Sequence, residues 1–268
     1  MHKLSQRYRY SAILLRELVR TDFKLRYQGS VLGYLWSLLR PLFLFVILYL
    51  VFVRFLKVGQ NIPHYPVYLL LGIVLWNYFV EVTTGSVAAI VSKGDLLRKI
   101  NFPKYVIIVA GSASALINLL LNFVVIAVFM INSHVGLSSN AFLILPLIAE
   151  LFVFSLGVAF ILSALFVKFR DVSYIWDVFI QAAFYATPIL YPLSRVTHQY
   201  ARLLILNPMA QIIQDARYVL ITNQSETINQ VYGGDKFIWA IPLAIVVVTI
   251  GIGGWYFRSQ SRGFAEEV

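Results

Sequence analysis

The chain is 268 residues long, 60% hydrophobic and only 13% charged, with a net charge of +10. A soluble domain averages about a quarter charged residues, so a single water-soluble globule is excluded and a polytopic membrane protein is indicated. Cysteine is absent, which removes disulfide, thiolate and cysteine-zinc chemistry; His2, His64, His134 and His198 are too scattered for a helical ligand pair, so no metal site and no catalytic residue is expected.

Segment 1–32 begins basic and precedes an apolar run, the outline of a cleaved signal. The apolar run starts too late, is too long, and has no small-residue cleavage site behind it. At 100° per residue, residues 13–26 instead wind into an amphipathic helix: Leu14, Leu15, Leu18, Val19 and Leu25 share one face, and Arg16, Glu17, Arg20 and Lys24 the other. Ile13 and Phe23 fall on the polar side and Asp22 on the apolar side, so the pattern is imperfect. Such a helix lies in the membrane interface with its basic side toward anionic headgroups, either as an anchor or as a lever against a soluble partner.

At about 20 apolar residues per crossing, hydropathy predicts six spans: 36–55, 68–91, 105–131, 141–167, 174–190 and 238–257. The fifth has the weakest pattern, because it carries Asp177 and Gln181 and is closed by Pro188 and Pro192, which cannot donate backbone hydrogen bonds. Loop 92–104 holds a charged helical turn with a Leu pair and a proline stop. Its Leu96, Leu97 and Ile100 fit either a groove on a soluble protein, with Arg98 and Lys99 setting orientation, or the membrane interface. Segment 191–237 is too long for a turn. Within it, residues 207–221 have helical spacing of Met209, Ile212, Ile213, Ala216 and Leu220, opened by Asn207 and Pro208, a cap and first-turn pair. A short tail, 258–268, ends the chain.

Most of the 22 Lys and Arg fall in segment 1–32, loop 92–104, the 168–173 turn and the tail. The positive-inside rule then puts both termini in the cytoplasm and segment 191–237 outside. The basic excess is accounted for by topology, which leaves no nucleic-acid platform.

Glu81, Glu150 and Asp177 lie within spans, with Asn77, Asn118 and Asn122 nearby in sequence pattern. Intramembrane charges face a partner or a wet cavity; three roles are open, namely a proton relay, structural pairing with Arg40 or Arg54, and lining of a path. Small residues at 110–114 and at Gly251, Gly253 and Gly254 indicate close helix packing. Tyr34, Trp36, Trp76, Tyr78, Phe184, Tyr185 and Tyr191 are either interfacial belt residues or flat apolar surfaces for a ring-shaped substrate.

Several stretches then carry a family resemblance: Leu18-Val19-Arg20-Thr21-Asp22-Phe23-Lys24-Leu25-Arg26-Tyr27, Ser30 to Trp36 with Pro41, Leu97 to Pro103, Phe169-Arg170-Asp171-Val172, Phe184 to Pro192, and Asn207-Pro208-Met209. In this order around six spans, the chain resembles the membrane subunit of ABC-2 type polysaccharide exporters, the permeases for O-antigen, capsule or teichoic acid. The resemblance implies an all-α, polytopic ABC-2 type transporter fold made of a single transmembrane domain over 1–268, with six transmembrane helices, an N-terminal interfacial helix and re-entrant gate helices between spans five and six. It implies a homodimer in the bacterial cytoplasmic (inner) membrane, two copies of a soluble ABC ATPase that use ATP and Mg, and a polyprenyl-linked glycan as substrate. This chain is expected to bind no cofactor, and it has no Gly-Lys-Ser or Gly-Lys-Thr phosphate loop.

By the same resemblance, Asp95, Leu96, Leu97, Arg98, Lys99, Ile100, Phe102 and Pro103 form the ATPase-coupling loop, and Arg16, Arg20, Asp22, Lys24 and Arg26 mark the interfacial helix. Tyr34, Trp36, Phe184, Tyr185 and Tyr191 line the translocation path, and Asn207, Pro208 and Arg217 belong to the external gate. An ABC-2 permease for a drug or small lipid, and a proton-coupled carrier, are the competing functions.

Overall fold

A computed structural model describes residues 13–22, 33, 35–58, 62–99, 102–136, 139–235, 237–261 and 263–264. The described residues are helical or in short turns, with no strand. Residues 13–22 form α1. Then follow α2 (Leu35–Tyr49), α3 (Tyr65–Val87), α4 (Gly94–Lys99), α5 (Tyr105–Asn132), α6 (Ile144–Lys168) and α7 (Val172–Ala186). The chain continues through α8 (His198–Ile205), α9 (Pro208–Leu220), α10 (Ile228–Val231) and α11 (Ala240–Gln260).

Five stretches among the described residues are long and apolar enough to cross a membrane: Leu35–Phe55, Tyr65–Val87, Tyr105–Asn132, Asn140–Lys168 and Ala240–Gln260. They correspond to the expected first, second, third, fourth and sixth spans. The second starts three residues earlier than hydropathy suggests, because Pro66 sits in the first turn, where a missing N–H costs nothing, and it stops at Val87, short of 91. The stretch expected as the fifth span is α7, only 15 residues long. At 1.5 Å per residue it covers roughly 22 Å, against a hydrocarbon layer of about 30 Å.

The centre of the bundle is α3. Its apolar residues run round the whole helix, so it has no face suited to lipid or water, and it is buried along most of its length. It packs against α2, α5, α6, α7 and α9. Pro41 in α2 is buried, and α2 passes into a wider-wound turn over Leu50–Phe55.

The firmest helix pair is α6 with α11, and glycine makes it possible. A Cβ on Gly157 would stand 2.8 Å from the backbone N of Ile250 and 2.9 Å from its Cα, and a Cβ on Gly253 would strike the carbonyl of Gly157. Both helices therefore approach backbone to backbone, as small-residue interfaces allow. Gly251 and Gly254 have nothing within 4 Å of such a Cβ. Replacing Gly157 with Ala should accordingly lower the melting temperature and folded yield in detergent, by roughly 1–3 kcal/mol of overpacking, whereas Gly254→Ala should leave both unchanged.

On the far side of the bundle from α4, Leu193, Ala201, Ile205, Ile228 and Val231 form a separate small apolar cluster that holds α8 and α10 together. Beneath it, α9 is inserted between α3, α6 and α11. Asn207 caps it by accepting from the Met209 N–H at 3.0 Å. Met209, Ile212, Ile213, Ala216 and Leu220 are buried, and so are Gln211, Gln214 and Arg217 on the opposite side. With both its apolar and its polar residues buried, α9 is an interior helix rather than an amphipathic one lying on the outer surface.

Candidate functional site

Three groups of residues stand out from the scaffold. The first joins the chain's start, its short basic loop and its tail. Leu14, Leu15 and Leu18 of α1 pack on the main core, and Arg16, Glu17 and Arg20 face outward, the division that the 100° periodicity predicts. Asp22, the residue that breaks the apolar face, pairs with Lys93 just before α4, Nζ to Oδ1 at 2.9 Å and to Oδ2 at 3.2 Å. The misplaced charge therefore ties α1 to the α4 loop.

In α4, Asp95, Arg98 and Lys99 are exposed, but Leu97 is only 7% exposed and packs into the main core. The reading of an exposed Leu pair is corrected for Leu97; the side chain of Leu96 lies outside the described residues. Phe102 is buried as well, and Pro103 is half-buried. Lys104 donates to the Ser261 carbonyl at 2.5 Å and lies over the Phe264 ring at 5.5 Å. Burial holds its ammonium below the usual lysine range. Phe264 is itself buried and meets Phe257 edge-on, so the tail is packed down beside the loop. Among the described residues of α4, the exposed side chains Asp95, Arg98 and Lys99 make a small charged face. Lys24, Arg26, Tyr34 and Ile100 lie outside the described residues.

The second group is α7 and the turn that follows it. One side of α7 docks on the bundle: Phe184 meets Trp76 at 5.9 Å, Trp176 meets Phe79 at 6.3 Å, and Ile180 is buried. The remaining surface is exposed and mixed, with Tyr174, Asp177, Val178, Gln181 and Tyr185. The three aromatic residues of the Phe184–Pro192 motif are thus separated. Phe184 is half-buried against α3, Tyr185 is 68% exposed, and the Tyr191 hydroxyl donates to the Tyr185 and Ala186 carbonyls at 3.2 and 3.1 Å.

The turn at 187–190 has few backbone bonds of its own, and Arg217 supplies them. Its guanidinium donates to the Pro188 carbonyl at 2.7 Å, to Ile189 at 2.7 Å and, from α3, to Tyr68 at 3.1 Å, and it lies 3.6 Å above the Tyr68 ring. Arg217 is fully buried, and desolvation pulls its pKa down. The family resemblance places Arg217 at an external gate; in the structure its charge is enclosed in the bundle and taken up by backbone carbonyls. Asp215 on the same helix accepts from Gln211 at 2.6 Å, and burial pushes its carboxyl up to about 6.

The third group gathers polar residues of the spans. Asn118 Nδ2 donates to Glu81 Oε1 at 2.8 Å, and Asn122 Nδ2 donates to the Asn118 carbonyl at 2.8 Å and to the Ser37 carbonyl at 3.3 Å. Arg40 borders the same space, yet the only ion pair between described residues is Lys93 with Asp22. Pairing of Arg40 or Arg54 with a span carboxylate is therefore not found among the described residues. Nor do the described residues contain a group of His, Asp and Glu able to hold a metal ion.

The chain is 30% identical over 270 residues to the O-antigen export system permease protein RfbA of Myxococcus xanthus, covering 97% of both chains. It is 30% identical over 254 residues to the protein of that name in Klebsiella pneumoniae, covering 94% of both. It is 26% identical over 218 residues to the polysialic acid transport protein KpsM of Escherichia coli, covering 79% of this chain and 81% of that one. The described family of ABC-2 type transporters matches residues 13–221, from the first residue of α1 to the end of α9. That stretch includes the second and third groups and all of the first but the tail, and the chain belongs to the ABC-2 type transporter family.

Proposed function

We propose that this chain is the membrane subunit of an ATP-driven exporter that carries a lipid-linked polysaccharide across the bacterial cytoplasmic membrane, as a homodimer with two copies of a separate ATPase. The observation that carries the reading is the free side of α7. An aspartate and a glutamine between exposed tyrosines, Tyr174, Asp177, Gln181 and Tyr185, suit neither lipid nor a dry helix contact. They suit a wet path at the junction of two copies, where tyrosine rings hold the C–H faces of sugars and polar side chains meet their hydroxyls. The names carried by the relatives, O-antigen export permease and polysialic acid transport protein, support a glycan as the cargo.

On this reading α7 is the fifth of six spans, and the 187–192 turn completes its crossing. Residues 191–237 are external, α9 re-enters the bundle from that side, and both termini are cytoplasmic. The cytoplasmic face then offers Asp95, Arg98 and Lys99 to the ATPase. ATP and Mg are used there, since this sequence lacks a phosphate loop.

The test is complementation of a host lacking its own copy, with surface polysaccharide as the readout. The wild-type chain with its ATPase should restore the polymer. Tyr185→Ala should lower export severalfold at unchanged folded yield, because its ring touches little of its own chain. Restoration without any ATPase would replace this reading with a proton-coupled carrier, and ATP-driven export of a small lipid or drug with no polymer would replace it with a small-substrate permease.

A further inference from the structure

Where α9 meets the first half of α6, two carboxyl groups face one another. Gln211 and Asp215 lie one turn apart on α9, and Gln211 Nε2 donates to Asp215 Oδ2 at 2.6 Å. Glu150, on α6, faces both the Gln211 amide and the Asp215 carboxyl. Gln211 is only 5% exposed, and the other oxygen of each α9 group, Asp215 Oδ1 and Gln211 Oε1, is buried with no hydrogen-bond partner among the described residues. With an ionised carboxyl both atoms are acceptors, and a buried acceptor without a donor has given up water for nothing in return. A single proton on Oδ1 removes both deficits. The acid O–H then donates to the amide oxygen while the amide N–H donates to the acid, the two-bond pairing open to a carboxylic acid and a primary amide set side by side.

The elements around α9 supply no cation to do the same work. From α6 the facing ionisable group is Glu150. From α3 they are Tyr65 and Tyr68, and the Tyr68 hydroxyl donates to Gln214 Oε1 at 3.4 Å while its ring lies against Arg217. α8 carries His198, Tyr200 and Arg202, all exposed, α11 has Tyr256 and Arg258 in its C-terminal part, and Ser139–Leu143 has no ionisable residue. On α9 itself, Arg217 is engaged by the Tyr68, Pro188 and Ile189 carbonyls, and Tyr218 carries no charge at neutral pH. Neither Asp215 nor Glu150 forms an ion pair with a described residue. We propose that Asp215 is the proton-binding group of an acid latch: as a neutral acid paired with Gln211 it seats α9 on α6, and ionisation sets it against Glu150 and loosens that contact. The proposal rests on the export reading above, under which α9 enters the bundle from outside and has to yield for the polymer to leave, so that acid outside the cell locks the exporter. Burial raises the Asp215 pKa from 3.8 to about 6. The folded protein therefore holds the proton longer than the unfolded chain does, and the stability this gives, full below 3.8, is lost as pH rises through about 6.

Asp215→Asn is the decisive variant, because its amide carries no charge and can donate to Gln211 Oε1 at every pH. For the permease in nanodiscs, the melting temperature of wild type is expected to fall by about 5 °C as pH rises from about 4 to about 8. Asp215→Asn should lack that part of the fall and should melt above wild type at the alkaline end. Glu150→Gln, which removes the facing charge, should reduce the fall as well, and it serves if Asp215→Asn does not fold. Infrared difference spectra of wild type against Asp215→Asn should show a carboxylic-acid C=O band at the acid end that disappears at the alkaline end. In the complementation strain at neutral pH, Asp215→Asn should lower surface polymer severalfold although the protein is more stable, a combination that ordinary damage to the fold does not give. If the acid band is missing, or the variants melt with the same pH dependence as wild type, the proton is overturned and water is the partner of the two oxygens. If the proton is found but Asp215→Asn exports as wild type does, the latch is overturned and the exporter reading stands. If the wild-type chain with its ATPase exports no polymer, the export reading fails and takes the latch with it, whatever the spectra show.

Discussion

Reversing Arg98 and Lys99 together to Glu is expected to abolish export while leaving a normally folded permease. Both side chains are exposed at the end of a six-residue helix, and neither pairs with a carboxylate among the described residues. Their removal therefore takes nothing from the described fold. At a docking surface the change sets like charges against groups chosen for the opposite sign, at a cost of several kcal/mol. Each 1.4 kcal/mol is tenfold in affinity, so retention of the ATPase on an affinity-tagged permease should fall by a hundredfold or more. Melting temperature in detergent should stay within a degree or two of wild type. Undiminished retention and export would show that α4 is not the docking element. Leu97 is a poor probe for the same question, because its side chain is part of the core, and Leu97→Asp would lose folded protein and coupling together.

For Arg217→Met the expectation is loss of the folded protein itself. Methionine fills a similar elongated space but donates no hydrogen bond, so the carbonyls of Tyr68, Pro188 and Ile189 lose their partner at once. Tyr68 keeps its own helical bond within α3, but the Pro188 and Ile189 acceptors are left unmet at about 1–3 kcal/mol each, a large part of the total stability of an ordinary domain, about 5–15 kcal/mol. Part of the loss is returned, because the charge no longer has to be desolvated. The Pro188–Leu190 turn would keep the Ile189 N–H bond to the Thr187 carbonyl at 2.7 Å and the Tyr65 hydroxyl, which donates to the Leu190 carbonyl at 2.6 Å. Arg217→Lys should be intermediate, since an ammonium has no planar fork to reach three carbonyls. Gly72 belongs to the same arrangement: a Cβ there would stand 2.5 Å from the Arg217 Nη2. Fluorescence-detected size-exclusion of tagged variants measures the outcome, and a sharp Arg217→Met peak with wild-type melting would remove Arg217 from this role.

The apolar face of α1, the cap of α9 at Asn207 and the positions of five apolar stretches follow from periodicity, capping chemistry and hydropathy. Asp22 looked like a flaw in the α1 pattern because its partner, Lys93, is distant in sequence. Leu97 reads as exposed because a short basic loop rarely has a core to reach, yet its side chain packs into the main core. Arg217 resembled a gate residue because an arginine on an external segment is ordinarily solvated. Its enclosure required α3, α9 and the 187–190 turn to converge.

Membrane residence, the spacing of the apolar stretches, the segments in which the basic residues concentrate and the family resemblance are all legible in the amino-acid order alone. Those are properties of short windows: transfer of an apolar run into lipid, a helix's own periodicity and a proline's missing donor need no knowledge of the rest of the fold. Only the tertiary structure decided which polar residues meet. Glu81, Asn118 and Asn122 become one hydrogen-bonded group around a cavity, Asp22 finds Lys93, Phe184 and Tyr185 turn to opposite environments, and Gly157 and Gly253 bring α6 onto α11. Burial and hydrogen bonding act through space between residues tens of positions apart, and that proximity is settled only when the helices pack.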